Sequence, residues 1–549
     1  MILLSYTKKR GEIMSLNDYA TVTMPERKIT INSSNKNRTW YVYYTKRAYR
    51  NSKNQPTSEK ILIGKRDTQS GMLIPNKNYF DIFGQDMILY TKSILDFGNF
   101  FTMNSVLEEL CVSNILKKIF KKDYEKIISI AAYMLCEGNI LFYCDDWCSE
   151  TFTHLDCPIT SQSSSRLFED ISYENRMRFF REWSKLRSAS EYIAYDVTSF
   201  SSYSAGNEYL EWGYNRDKEK LPQINLGMYF GETSRLPIYY CVYPGSILDK
   251  THLQYMMQDN EILGIEKVKF VMDKGFYSLS NVRFMQEKGY PFILCVSNNL
   301  TVSKEILEKY RTILNSSRYY SKVHDVYATS KNTDKYGVDA NLHIFYDPTK
   351  AMLEENELYQ EINILENRLL QTKKIPSKTA RKKYEKYFDI TENDGSISYR
   401  HNYEKIDNEK AYNGFFLLLT TDIKKNADEI LEIYKRKDLV EKSFDNLKNH
   451  MDMKRIRCHN KSTTEGKIFV AFIGLIIKSH MENILSEYMD TNNSTIEKVI
   501  RELKKIKVVT LQNGKRLINP LTKKQKEILT FFKITEIDIK DYLASERQT

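Results

Sequence analysis

The sequence has no apolar run long enough to cross a bilayer. Its longest, IFVAFIGLII at 468–477, is about half of the roughly 20 residues a spanning helix needs, so no membrane span is expected. The first residues, MILLSYTKKRGEIM, lack the charged segment followed by a longer apolar core that marks a secretory leader, and export is not expected. Cysteine is sparse and scattered: Cys111, Cys136, Cys144, Cys148, Cys157, Cys241, Cys295 and Cys458 are the only eight in 549 residues. Small secreted scaffolds are dense in cysteine, so this spread excludes that class and suits a reducing cytosol. There is no C-x-x-C pair, and no histidine at a matching spacing joins Cys144, Cys148 and Cys157 into a zinc signature, so these read as core thiols.

What is present is a large globular chain. At 549 residues it exceeds one core and is expected to divide into two to four domains. A hydrophobic fraction of 41%, with 39 Tyr and 26 Phe, is ample for buried cores and argues against disorder. Lys and Arg outnumber Asp and Glu by 82 to 71, and 21 basic against 13 acidic residues lie from 442 onward, so eight of the eleven excess charges are C-terminal. A basic region fits a polyanionic partner, nucleic acid or membrane surface, and equally fits simple solubility.

Along the chain, 38–64 gives an aromatic and β-branched run, a polar turn with Pro and a second apolar run, which predicts a hairpin. From about 95 to 190 apolar residues return every three or four positions, the helical period. Within it, PITSQSSSRLFEDIS (158–172) has the polar turn, capping serines and amphipathic stretch of half a helix-turn-helix. From 191 the texture becomes short strands: EYIAYDVTSF, NLGMYFGE, LPIYYCVYPG, VKFVMDKGFY and PFILCVS, with a helical SLSNVRFMQEKG between the last two. That alternation predicts an α/β unit. Order breaks between 300 and 410, where a helix at 351–372 carries Leu358, Ile362, Leu365 and Leu369, beside the basic, Tyr-bearing KKIPSKTARKKYEKYF. NGFFLLLTTD at 413–422 then reads as one more buried strand. The expected division is a β-rich region over 1–94, a helical, DNA-contacting region over 95–190, a core over 191–300 and 412–490 interrupted by an insertion over 301–411, and a basic C-terminal region over 491–549.

Three acids stand out. Asp196 and Asp273 end apolar strand segments, where a buried carboxylate is costly unless paired or bound to metal; for either alone, capping a turn is the plainer account. The third is Glu441, in YKRKDLVEKSFDNLKNHM (434–451). On a continuous helix, Tyr434, Lys437, Glu441 and Lys448 share an arc of about 60°, beside an apolar stripe of Ile433, Val440, Phe444, Leu447 and Met451. A surface helix with ordinary ion pairs would show the same pattern. The economical joint reading is that Asp196, Asp273 and Glu441 converge to hold Mg²⁺, a hard cation that takes carboxylates plus phosphate oxygens. Two such ions activate a water or 3′-hydroxyl and stabilise the leaving oxygen at phosphorus. Lys437 and Lys448 then hold DNA phosphates, and Tyr434 packs on a sugar or base.

These residues carry a resemblance. YDVTS, VMDKGFYS and the pattern Y-x2-K-x3-E-x6-K after FFLLLTTD resemble the DDE transposases of bacterial insertion sequences, in the IS4 superfamily and most of all its IS1634-type members, over about 38–540. The resemblance implies an RNase H-like α/β core, a mixed sheet flanked by helices, whose Asp196, Asp273 and Glu441 bind two Mg²⁺ ions, with Mn²⁺ as a substitute. It implies a cut-and-paste enzyme acting on double-stranded DNA, both terminal inverted repeats and target, as a homodimer in the synaptic complex, in the bacterial cytoplasm and at the nucleoid when bound. The separations of 77 and 168 residues between successive acids leave room for the insertion. Position 437 departs: the family has Arg where this chain has Lys437, a point charge without the bidentate grip, and Arg436 lies roughly 100° round the helix. Lys274 and Tyr277 are expected to line the same groove, with packing an equal account of Tyr277. Two other functions stand beside this one: an RNase H-like nuclease that cuts without joining, and a DNA-binding protein derived from a decayed transposase.

Overall fold

The computed structural model describes residues 8–9, 12–13, 22–34, 39–68, 71–83, 91–155, 157–187, 191–204, 206–265, 268–372, 375, 377–393, 396–421, 423–511 and 515–545. They fall into two compact units, one of Met1–Phe179, Ser204–Asn207 and Asp445–Thr549, the other of Phe180–Tyr203 and Glu208–Phe444.

The first unit opens with an antiparallel sheet of β1 (Ile29–Ser34), β2 (Thr39–Arg50), β3 (Pro56–Arg66) and β4 (Leu73–Pro75), in that order. The β2–β3 pair is the hairpin expected over 38–64. Val42, Ile63, Leu73 and Ile74 close its core, joined from the far end of the chain by Val509 and Leu517. After β5 (Thr91–Asp96) come the predicted helices, including α1 (Gly98–Glu109), α2 (Val112–Phe120), α3 (Tyr124–Glu137) and α4 (Ser161–Asp170). The capping serines and threonine of 158–172 do begin a helix: Thr160 Oγ1 accepts the Ser163 amide at 3.2 Å, satisfying one of the first-turn donors.

The second unit is a mixed α/β layer. β6 (Tyr192–Ser201), β7 (Gln223–Gly231) and β8 (Pro237–Pro244) form an antiparallel meander; α5 (Asp249–Leu263) then leads to β9 (Lys269–Met272), and α6 (Leu279–Glu287) to β10 (Phe292–Val296). β9 runs parallel to both β6 and β10. These strands read as near-continuous apolar runs because both faces of the sheet are covered; every residue of β7 and β10 is buried.

Between β10 and the next long strand, the region read as an insertion holds α7 (Thr301–Tyr310), β11 (Tyr320–Ser321), β12 (Val326–Thr333), β13 (Ala340–Tyr346), α8 (Pro348–Thr372) and a hairpin of β14 (Phe388–Asn393) and β15 (Ser396–His401). β16 (Phe415–Thr421) follows, antiparallel to β10 on one side and β13 on the other. The sheet is therefore nine strands wide, ordered β8-β7-β6-β9-β10-β16-β13-β12-β11. Half of the inserted segment extends the sheet, whereas α8 and the hairpin build their own small core around Ile362, Leu365, Leu369 and Phe388. The leucine-isoleucine stripe read at 358–369 is thus a local packing face. Leu358 is its partly buried end.

Past α9 (Ala427–Lys435) and α10 (Asp438–Asp445), the chain returns to the first unit. There α11 (Lys461–Ile484) carries the IFVAFIGLII run, which is fully buried within the protein; among the described residues no single helix is long and apolar enough to cross a membrane. Gly466 lets α11 press on α4, since a Cβ at that position would stand 2.2 Å from the Phe168 carbonyl oxygen. After α12 (Ile496–Lys504), β17 (Lys507–Leu511) pairs with β5 and with β18 (Arg516–Ile518), so the C-terminal strands close on the first hundred residues.

One buried histidine in the second unit predicts acid sensitivity. His343 on β13 lies between the Ser330 hydroxyl (2.7 Å from Nδ1) and the Thr420 hydroxyl (3.1 Å from Nε2). Burial lowers its pKa from 6.5 to about 4, so the unfolded chain binds a proton between those values that the folded chain does not. Its stabilisation is complete above pH 6.5 and is lost as pH falls towards 4, on the order of 3 kcal/mol in all. Thermal unfolding of the native protein and His343→Gln across pH 4–7 should show a shallower acid loss in the variant; parallel curves would discount this histidine.

Candidate active site

Parallel pairing places the first two acids. β9 is registered on β6 from Lys269 opposite Tyr192 to Met272 opposite Tyr195, so the two acids each follow the last paired residues, and the Asp273 charge reaches Asp196. Asp196 stays in its strand, its side chain 19% exposed, and accepts the Val197 amide at 2.8 Å. Asp273 leaves the strand and caps the short turn Lys274–Phe276, accepting the Lys274 amide at 2.7 Å. The capping account of Asp273 therefore holds, without removing its carboxylate from the strand edge.

The 434–451 segment differs from the single helix expected. It is α9, a break at Arg436 and Lys437, α10, and then a π-helical stretch Asn446–His450. At the break the bonds shorten to three-residue spans, Lys437 amide to Tyr434 oxygen (3.0 Å), Leu439 to Arg436 (3.1 Å) and Val440 to Lys437 (2.9 Å). That tightening interrupts the single helix on which the common arc of Tyr434, Lys437, Glu441 and Lys448 was read. α9 begins on a capping box in which Asn426 and Glu429 satisfy each other's amides. α10 begins with Asp438 and Glu441 in its first turn, where its dipole favours negative charge.

The break turns Lys437 inward to 5% exposure. Its Nζ stands 3.0 Å from Glu441 Oε1 and 3.9 Å from Asp196 Oδ2, while Glu441 itself is 62% exposed. Tyr434 donates its hydroxyl to Asp273 Oδ1 at 3.2 Å. Asp196, Asp273, Tyr434, Lys437 and Glu441 thus form one neighbourhood. Burial pushes the Asp196 carboxyl up to about 6, opposed by Lys437 and reinforced by Asp273. Burial pulls Lys437 down, but Asp196 and Glu441 outweigh it and the net shift is upward. Tyr434 is held protonated by burial, with Cys295 and Asp273 adding to the effect.

Other expected residues fall elsewhere. Arg436 does not substitute for Lys437: its guanidinium is engaged by Glu232 and by Glu432. Lys448 sits in the π-helical stretch, within the other compact unit. Tyr277 packs edge-on against Tyr336, ring centroids 5.9 Å apart, which favours its packing account. Lys274 is exposed and lines an open cleft of about 760 Å³ together with Lys304, Lys350, Lys386 and Lys405. Of those four lysines of the 301–411 segment, only Lys386 lies in the basic stretch the sequence singles out, because Lys304, Lys350 and Lys405 are brought in from three separate helices.

Among the described residues no group of three or more His, Cys, Asp or Glu is drawn together closely enough to hold a metal ion. What lies between Asp196 and Glu441 is an ammonium. The donor set is nonetheless carboxylate oxygen, the chemistry that suits Mg²⁺ or Mn²⁺, and Lys437 supplies positive charge where two carboxylates need it.

The family described as Transposase DDE domain matches residues 187–477, more than half of the chain, and the protein belongs to that family. Among curated proteins there is no match. Of solved structures, the cryo-EM structure of a piggyBac transposase synaptic complex with hairpin DNA is similar over 82% of this chain and 76% of that one, at 11% identity and a TM-score of 0.30.

Proposed function

We propose that this protein cuts DNA at the terminal inverted repeats of its own element and joins the freed 3′-hydroxyls to target DNA, with Asp196, Asp273 and Glu441 as its catalytic acids. The observation that carries the proposal is the parallel β6/β9 register, which ends with Met272 opposite Tyr195, the residues just before Asp273 and Asp196, inside a chain of the DDE transposase family. The strand order β8-β7-β6-β9-β10, with an antiparallel meander followed by two parallel strands, supports an RNase H-like core. The three carboxylates would hold divalent cations, Mg²⁺ or Mn²⁺, which supply an activated water or 3′-hydroxyl and a stabilised leaving oxygen. The chain's own groups prepare that site. Tyr434 orients the Asp273 carboxylate, Lys437 balances Asp196 and Glu441, and exposed Lys274 offers a phosphate contact. DNA is the partner, and work on two ends calls for a homodimer. Placement in the bacterial cytoplasm and membership of the IS1634-type branch of the IS4 superfamily go with this reading.

The test is strand cutting and joining by the native protein on a DNA fragment carrying the inverted repeats that flank the coding sequence, with Mg²⁺ and then Mn²⁺. Nicks at the repeat ends followed by covalent joining to a target plasmid are expected. Cutting without joining would move the assignment to a nuclease. Tight end binding without cutting under either metal would favour a decayed, DNA-binding transposase, the reading that Lys437 at the family's Arg position supports.

A further inference from the structure

The β2–β3 hairpin outgrows its sheet. β1 covers β2 only from Thr39 to Tyr44, and β4 covers β3 only from Gly64 to Arg66. Thr45 still donates its amide to the Lys28 carbonyl at 2.7 Å; beyond it the two strands pair with each other alone, from Arg47 opposite Glu59 to Arg50 opposite Pro56. Residues 46–56 are all exposed, as are Glu59 and Lys60. A two-stranded ribbon with no buried face gains little from folding by itself, so its retention at this length needs another account.

Its charge supplies one. Residues 46–60 hold five basic side chains, Lys46, Arg47, Arg50, Lys53 and Lys60, against a single acid, Glu59, with Tyr49 among them. Charge on an unpaired strand edge also discourages strand-to-strand association, but either sign would serve for that. A ribbon of nearly one sign repels itself and is relieved by a polyanion.

The tip is preformed. Asn51 Oδ1 accepts the amides of Lys53 (2.9 Å) and Gln55 (3.0 Å), and Arg50 Nη1 donates to the Asn54 carbonyl at 2.7 Å. Lys46 is drawn to Glu59 at 3.6 Å. Arg50 and Lys46 therefore have structural partners, and Arg47, Lys53 and Lys60 are the cations left to a ligand. Five or six residues extend the ribbon by roughly 17–20 Å at strand rise, and a two-stranded β-ribbon fits the major groove of B-DNA, which is about 12 Å wide.

We propose that this ribbon enters the major groove of duplex DNA, with Arg47, Lys53 and Lys60 on phosphates or base edges. The inference rests on the transposase reading for its partner, and not on the catalytic acids. The test uses the full chain and a duplex carrying the element's end, measuring dissociation constants from 50 to 300 mM salt and protection of guanine N7, which faces the major groove. Arg47→Ala/Lys53→Ala/Lys60→Ala should bind about tenfold or more weakly near 0.1 M salt and lose up to about 2.7 from the log–log salt slope, about 0.9 for each phosphate released. It should also lose N7 protection while its thermal unfolding stays native. Arg47→Lys/Lys53→Arg/Lys60→Arg should keep the native slope. A charge-matched control, Lys523→Ala/Lys524→Ala/Lys533→Ala, should change the slope much less. If the native protein binds and cuts but the ribbon variant keeps its slope and N7 protection, or merely matches the control, the ribbon proposal falls alone. If the native protein neither binds nor cuts DNA, the transposase reading falls and takes this inference with it.

Discussion

Replacing Glu441 by Gln, or Asp196 by Asn, is expected to lower strand cutting by more than about a hundredfold while leaving binding to the element's ends intact. Groups that only orient a metal ligand already carry roughly 10–100-fold effects, and these residues are proposed as the ligands themselves. Each substitution keeps shape and removes a charge. Glu441 is mostly exposed on the first turn of α10, so its loss leaves the core of the unit untouched. Asp196 is more enclosed and already pushed towards neutrality by burial, so Asn there relieves a charge the fold tolerates poorly. The measurement is single-turnover cutting of end DNA beside equilibrium binding of the same DNA. Cutting retained by both variants would sink the assignment of the acids; a joint loss of binding and cutting would point to misfolding instead.

Lys437→Met is expected to destabilise the metal-free protein and to make it respond more strongly to divalent cations than the native chain does. Lys437 is nearly enclosed and lies 3.9 Å from Asp196 and 3.0 Å from Glu441. Removing one member of a buried charged set costs about 3–5 kcal/mol. Because Glu441 is exposed, the low end applies, a fall in melting temperature of roughly 6 °C or more for a unit of this size. If the ammonium stands in for metal charge, Mn²⁺ or Mg²⁺ bound to the folded state should restore much of that loss. Melting curves with and without Mn²⁺ decide the matter, and equal metal-induced shifts in native and variant would separate Lys437 from the metal site. Lys437→Arg, which restores the family residue, should hold or raise cutting if phosphate grip limits the rate. A clear loss would mean that the enclosed position between Asp196 and Glu441 requires the slimmer cation.

The strands beside Asp196 and Asp273 were legible because they are β-branched and aromatic runs, and period and composition are local properties; the expectation that Asp196 ends its strand failed, since β6 continues through Val197 to Ser201. The helix at 348–372 and the buried strand at 415–421 were legible for the same reason. The broken helix at 436–437 was not. Its residues keep a helical period, and Lys437 at the break finds carboxylate partners that include Asp196, 241 positions earlier in the chain. The engagement of Arg436 with Glu232 and the gathering of Lys304, Lys350 and Lys405 with Lys274 are invisible for that reason too: pairings between distant residues leave no mark in a local window.

By itself the sequence determined the α/β texture of the core, three candidate acids with their spacing, and the DDE transposase family to which the chain belongs, since each is carried by a short stretch whose chemistry is complete in place. Only the tertiary structure decided that β9 runs parallel to β6 and ends just before Asp273, that half of the 301–411 segment extends the same sheet, that Lys437 rather than Arg436 faces the acids, and that the β2–β3 hairpin runs on past its neighbours. Those outcomes depend on strand register and on competition among distant charges for burial. Both are settled by the whole folded chain, because a carboxylate or an ammonium can be buried only where its partner is also brought.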